Sequence, residues 1–118
     1  MSERRDEPAD FLPLTEAAFH VLLALADGDT HGYALLDAVR QQSGGTVRLG
    51  TGTLYGILSR LLADGLIVDL ARRDPDDERR RFYRLTPLGR AVARAESERL
   101  ARTVAVARAK AMLKPRKA

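Results

Sequence analysis

The hydrophobic period of this chain changes twice, and few folds accommodate the change. Between Leu14 and Leu62 apolar residues recur at helical spacing, between Leu66 and Leu85 they alternate, and after Pro87 helical spacing returns. In the first stretch Leu14, Ala18, Val21, Leu22 and Leu25 share one face of a helix expected over 14–26, with Thr15 as its cap. Asp27-Gly28-Asp29 ends it. A second helix, capped by Thr30, is expected to run to Ser43 with Leu35, Leu36 and Val39 inward, until Gly44-Gly45 stops it.

After an extended run at 46–49, a third helix is expected over 52–64 with Thr51 as its cap. Its apolar stripe is Leu54, Ile57, Leu58, Leu61 and Leu62, and Gly65 supplies the stop. Leu66, Val68 and Leu70 then alternate with Ile67, Asp69 and Ala71, as in a half-buried strand. Asp74-Pro75 marks a turn, and 81–85 reads as the returning strand. Thr86-Pro87 opens a last helix extending to Leu113, with Pro where its missing N–H costs nothing. Three helices, a two-stranded ribbon and a long helix make a mainly α chain with a winged helix-turn-helix arrangement. The expected organisation is a loose polar tail at 1–10, a winged domain at 11–86, a C-terminal dimerisation helix at 87–113 and a basic tail at 114–118.

The third helix has an unusual outer side. At ~100° per residue its apolar stripe leaves Gly52, Gly56, Ser59, Arg60 and Ala63 opposite, flanked by Thr53 and Tyr55. Glycine inside a helix costs ~1 kcal/mol relative to alanine. A low-relief face lets the backbone approach another surface closely, and a DNA major groove is wide enough to admit such a helix. Thr53, Ser59 and Tyr55 can donate to phosphates or base edges, and Arg60 can address guanine or phosphate. The competing reading is a plain solvent-exposed helix.

Charge is unevenly placed. Residues 1–70 carry ten acidic and five basic side chains, whereas 71–118 carry six acidic and fifteen basic, so a net +4 conceals −5 and +9 halves. Arg72, Arg73, Arg79, Arg80, Arg81 and Arg84 surround the ribbon, and its tip carries Asp74, Asp76, Asp77 and Glu78. Arginines beside a reading helix would grip phosphates, with Arg79, Arg80 and Arg81 preferred for that role. The acidic tip would repel phosphates, so a charge-balanced, solvated hairpin is the alternative. In the last helix Ala93, Ser97, Leu100, Val104, Ala107 and Ala111 form a narrow seam at alternating steps of four and three, suited to the same helix of a second subunit.

With no Cys, a disulfide framework, a thiolate metal site and a cysteine nucleophile are excluded. No apolar run approaches the ~18 residues of a membrane span, and the charged start is unlike a signal peptide, so a cytoplasmic protein without a membrane partner is expected. His20 and His31 are the only histidines, with no triad order, metal spacing or phosphate loop beside them. The chain is therefore expected to be no enzyme and to hold no cofactor or metal.

Four ordered strings, His31-Gly32-Tyr33-Ala34-Leu35, Gly52-Thr53-Leu54-Tyr55 with Leu58-Ser59-Arg60-Leu61, Asp64-Gly65-Leu66-Ile67, and Arg81-Phe82-Tyr83-Arg84-Leu85-Thr86 with Gly89-Arg90, resemble the PadR family of bacterial transcriptional regulators. The resemblance covers about residues 14–102 and is to the compact branch with a single C-terminal helix. It implies a dimeric repressor of double-stranded DNA, with Tyr33, Thr53, Tyr55 and Arg60 contacting an operator. Family members commonly carry Pro where Thr51 and Gly56 stand here, and Gly56 removes a groove-facing side chain. Some compact members sandwich flat drugs between tryptophans, a mode that this Trp-free chain does not share. Whether a small-molecule effector acts on it is open, and a winged-helix adaptor that binds protein instead of DNA is the alternative function.

Overall fold

Three short helices close on one another before the sheet and the long helix cover them. The computed structural model describes residues 6–74 and 77–114, with side chains for 6–71 and 81–114. The elements are α1 (Glu16–Leu25), β1 (Thr30–His31), α2 (Gly32–Gln42), α3 (Thr51–Ala63), β2 (Ile67–Asp74), β3 (Asp77–Leu85) and α4 (Pro87–Ala109), preceded by a 3-10 turn at Pro8–Phe11. The antiparallel sheet has three strands in the order β1-β3-β2. The arrangement is a mainly α winged helix-turn-helix.

Caps set the helix starts, and two differ from expectation. Thr15 Oγ1 accepts the Ala18 amide at 3.1 Å, and Thr86 Oγ1 accepts the Gly89 amide at 3.0 Å. The cap of α2 is His31 in place of Thr30, its Nδ1 accepting the Ala34 amide at 3.3 Å. Thr30 and His31 pair with Tyr83 and Phe82 as the third strand, so the backbone stays extended one residue further. Likewise the cap of α3 is Gly50, whose carbonyl accepts the Leu54 amide at 3.0 Å; Thr51 already lies within the first turn.

The inward parity of β2 is opposite to the alternation expected. Ile67 is 1% exposed and Val68 43%. Gly65, in the left-handed region at φ 76°, closes α3, and the Leu66 amide turns back to the Leu61 carbonyl at 3.0 Å. Leu66 is thereby part of the helix closure, and the strand starts one residue later with Ile67 inward. Further along, a register shift falls between Asp69 and Arg73, where Ala71 has φ 57° and donates its amide to Asp69 Oδ1 at 2.9 Å.

The core joins Val21, Leu22 and Leu25 of α1, Leu35 and Val39 of α2, and Leu54, Leu58 and Leu61 of α3 with Leu66, Ile67, Tyr83, Leu85 and Val92. Phe11 also enters it, so the expected loose tail to residue 10 is ordered from Pro8. Burying such an aromatic contributes roughly 1.5–3 kcal/mol, enough to hold a short turn down. From there the chain passes across α4, where the Leu14 amide donates to Glu96 Oε2 at 2.7 Å. The end of α4 also differs: the helix stops at Ala109 instead of Leu113, because Ala111 turns left-handed (φ 62°) and the Met112 amide folds back to the Ala107 carbonyl at 2.8 Å.

Candidate nucleic-acid interface

The inner side of α3 is defined by Leu54, Leu58 and Leu61, all buried. Opposite them Gly52, Gly56, Ser59 and Ala63 are exposed. A Cβ added at Gly52 or Gly56 would meet nothing within 4 Å. The protein's own packing therefore does not require glycine at either place, although Gly56, in the helix interior, costs ~1 kcal/mol of helix propensity. Thr51 is exposed at the amino end. Thr53 and Arg60 lie on the flank facing the N-terminal segment.

Tyr55 lies on the other flank. A Cβ on Gly32 would sit 2.8 Å from the Tyr55 hydroxyl, so the phenol lies across the first turn of α2. The Tyr55 ring thus packs against Gly32, the sequence neighbour of Tyr33, which is 58% exposed. Tyr33 and Tyr55 both lie exposed on the surface where the first turn of α2 meets α3.

Two arginines beside that surface were not singled out from the sequence. Arg40 and Arg48, with Tyr33, Leu36 and Leu49, line a shallow recess of about 320 Å³. Arg40 pairs with Asp37 at 3.0 Å, and Arg48 Nε donates to the Gly45 carbonyl at 3.2 Å. The available signal was Arg48 itself, the one basic residue in the run joining the second and third helices.

The basic ribbon divides. The side chains of Arg79 and Arg80 lie outside the described residues. Arg81 is exposed and faces Asp69 across the strand pair at 3.6 Å. Arg84 is committed elsewhere: its Nε and Nη2 reach both carboxylate oxygens of Asp29 at 3.0 and 2.8 Å, clamping β3 to the loop after α1. That hydrogen-bonded pairing, with the charge of Asp29, raises the Arg84 pKa above its ordinary value.

On α4 the expected seam also divides. Ala93 is 7% exposed and belongs to the core of its own chain. Ser97 donates its hydroxyl to the Ala93 carbonyl at 2.8 Å. Leu100 and Val104 are 37% and 40% exposed, Ala107 is half-buried, and Ala111 lies beyond the helix end. Residues 100–106 are all exposed, so the distal part of α4 projects from the domain.

Both histidines have structural partners. His31 caps α2 and meets the Phe82 ring edge-on at 5.3 Å, while His20 and Gln42 brace α1 against α2 through contacts of 3.0 and 2.7 Å. Among the described residues there is no group of three His, Cys, Asp or Glu that could hold a metal, and no helix long and apolar enough to cross a membrane.

Residues 21–95 match the model of the transcriptional regulator PadR-like family. The chain is 42% identical over 88 residues to the transcriptional regulator Rv3488 of Mycobacterium tuberculosis, covering 72% of this chain and 78% of that protein. It is 45% identical over 87 residues to an uncharacterized 37.1 kDa protein in transposon TN4556 of Streptomyces fradiae, covering 74% of this chain but only 24% of that protein's length. Among solved structures, a transcriptional regulator from Clostridium thermocellum superposes with a TM-score of 0.65 at 27% identity, covering 75% of this chain and 86% of the other.

Proposed function

This chain belongs to the PadR-like family of transcriptional regulators, and we propose that it is a homodimeric repressor that binds an inverted-repeat operator in double-stranded DNA. The observation that carries the reading is the outer face of α3, where two glycines unneeded by internal packing leave a smooth exposed surface. In this reading α3 enters the major groove. Thr51, Thr53, Gly56, Ser59 and Arg60 meet base edges or phosphates, and Tyr33 and Tyr55 meet the adjoining backbone. Arg81, with Arg79 and Arg80, contacts phosphates beside the groove, and the exposed Arg48 adds a contact from the turn before α3.

Residues 11–86 form the reading domain, and the projecting part of α4 around Leu100, Val104 and Ala107 forms the subunit interface. The protein acts in the cytoplasm and carries out no catalysis. A salt titration of binding to genomic fragments tests this function. The logarithm of affinity should fall with the logarithm of salt at a slope of about −0.9 per phosphate contact. A flat salt response, or no binding to any fragment, would overturn it in favour of a protein-binding adaptor.

A further inference from the structure

The domain grips α4 only along its first part. The buried residues of the helix are Gly89, Val92, Ala93 and Glu96, on one stripe, and residues 100–106 are all exposed. Glu96 is therefore the last buried residue before the helix projects, and a carboxylate stands where the stripe would continue with an apolar side chain. A charge so fully removed from water is tolerated only when it is paired and hydrogen-bonded. Here Oε2 accepts the Leu14 amide at 2.7 Å and Oε1 accepts Arg99 Nε. Leu14 immediately precedes Thr15, the cap of α1, and Phe11 just upstream is in the core. The bond ties the start of α1 to α4 at the point where α4 leaves the domain.

We propose that Glu96 is a positioning residue for operator recognition: by clasping Leu14 it sets the angle at which α4 leaves the reading domain, and so the separation of the two reading helices in the dimer. The inference rests on the proposed reading of α3 as the groove helix and of distal α4 as the subunit interface. A buried apolar side chain would hold α4 as firmly, since replacing buried charges by hydrophobes of similar volume is often neutral for stability. It would not hold the helix in one direction, because apolar burial is non-directional whereas a hydrogen bond weakens steeply once bent. The lever is long: Ala109 lies about 20 Å beyond Glu96 at ~1.5 Å per residue. A tilt of about 10° at Glu96 moves that end by about 3.5 Å, close to the ~3.4 Å step of one base pair. An exit angle loosened by that amount would let the dimer accept half-sites at more than one separation.

The test uses the full chain and DNA of three kinds: an operator selected from genomic fragments by the wild type, that operator with one base pair added or removed between half-sites, and a single half-site. Wild type should bind the selected spacing at least about tenfold more tightly than either altered one. Glu96→Leu, which keeps the site filled, should reduce that preference below about threefold, with half-site affinity and dimeric sedimentation unchanged. Glu96→Gln keeps an acceptor for Leu14 without the charge and should fall between the two. Val39→Ala, a core truncation in α2 away from the clasp, should lower the melting temperature and leave the spacing preference intact. A preference that survives in both Glu96 variants, or that Val39→Ala also erases, overturns the positioning role. So does a wild type indifferent to spacing, or a Glu96→Leu protein that sediments as a monomer. Failure of the wild type to select any fragment overturns instead the reading of the chain as a DNA-binding dimer.

Discussion

Glu96 Oε2 accepts a hydrogen bond from the backbone amide of Leu14 at 2.7 Å, across 82 positions of sequence. The same carboxylate, almost wholly buried, is held from its other oxygen by Arg99 Nε, one turn along α4. A single side chain thus pins the segment before α1 to the long helix.

The Arg99 hydrogen bond holds the Glu96 pKa below the ordinary carboxylate range, against the opposing effect of burial and with help from the Leu14 amide. A depressed folded-state pKa stabilises the protein fully above the unfolded value of ~4.3, and the contribution disappears as pH falls through the lower folded value. Glu96→Gln should therefore cost about 1–3 kcal/mol at pH 7, with the gap to wild type closing below about pH 4. Urea unfolding of both proteins at a series of pH values checks this, and a gap that does not change with pH would exclude the carboxylate as its source.

Two glycines should respond oppositely to alanine. A Cβ on Gly89 would lie 2.0 Å from the Leu66 carbonyl oxygen, with backbone on both sides of the clash. Gly89→Ala should cost about 3 kcal/mol or more, within the range of severe core damage. Gly56→Ala meets open space and should stabilise by about 0.5–1 kcal/mol while weakening DNA binding if α3 lies close in the groove. Thermal melts and a binding titration separate the two effects.

Arg60 and Arg84 should part company as well. Arg60→Ala should reduce discrimination at one operator position by about 1–3 kcal/mol with little change in melting temperature. Arg84→Ala removes the clamp on Asp29 and should lower stability only slightly, because the pair is solvent-exposed. Selection of bound sequences by each variant distinguishes loss of reading from loss of fold.

Val104→Glu places a charge on the projecting apolar face of α4 and should shift the sedimenting species toward monomer. An unaltered dimer would move the interface elsewhere. Two-fold pairing through this helix further predicts half-sites about 10 base pairs apart, or a multiple, by footprinting.

Much of the fold was legible because it is local. Thr15 and Thr86 announce their helices by short-range hydrogen bonds, and the three-four spacing of Leu54, Leu58 and Leu61 alone determines which side of α3 is buried. Thr30, Thr51 and the inward side of β2 depart from the local pattern because each depends on a distant or competing bond: pairing with β3, the Gly50 carbonyl, and closure of α3 at Leu66. The same limit applied to function. The sequence identified α3 as the smooth helix, while Arg84 could not be told from its neighbouring arginines until Asp29 stood beside it.

Spacing of apolar residues, caps and glycine stops therefore determined the order of helices and strands, since such signals act within a few residues. Only the tertiary structure decided which cations remain uncommitted, that Ala93 belongs to the core, and that residues 8–14 fold back on α4 to wall a groove beside Arg60. Those outcomes depend on which groups meet after the chain has closed, and a hydrogen bond spanning 82 positions leaves no periodic trace in the sequence.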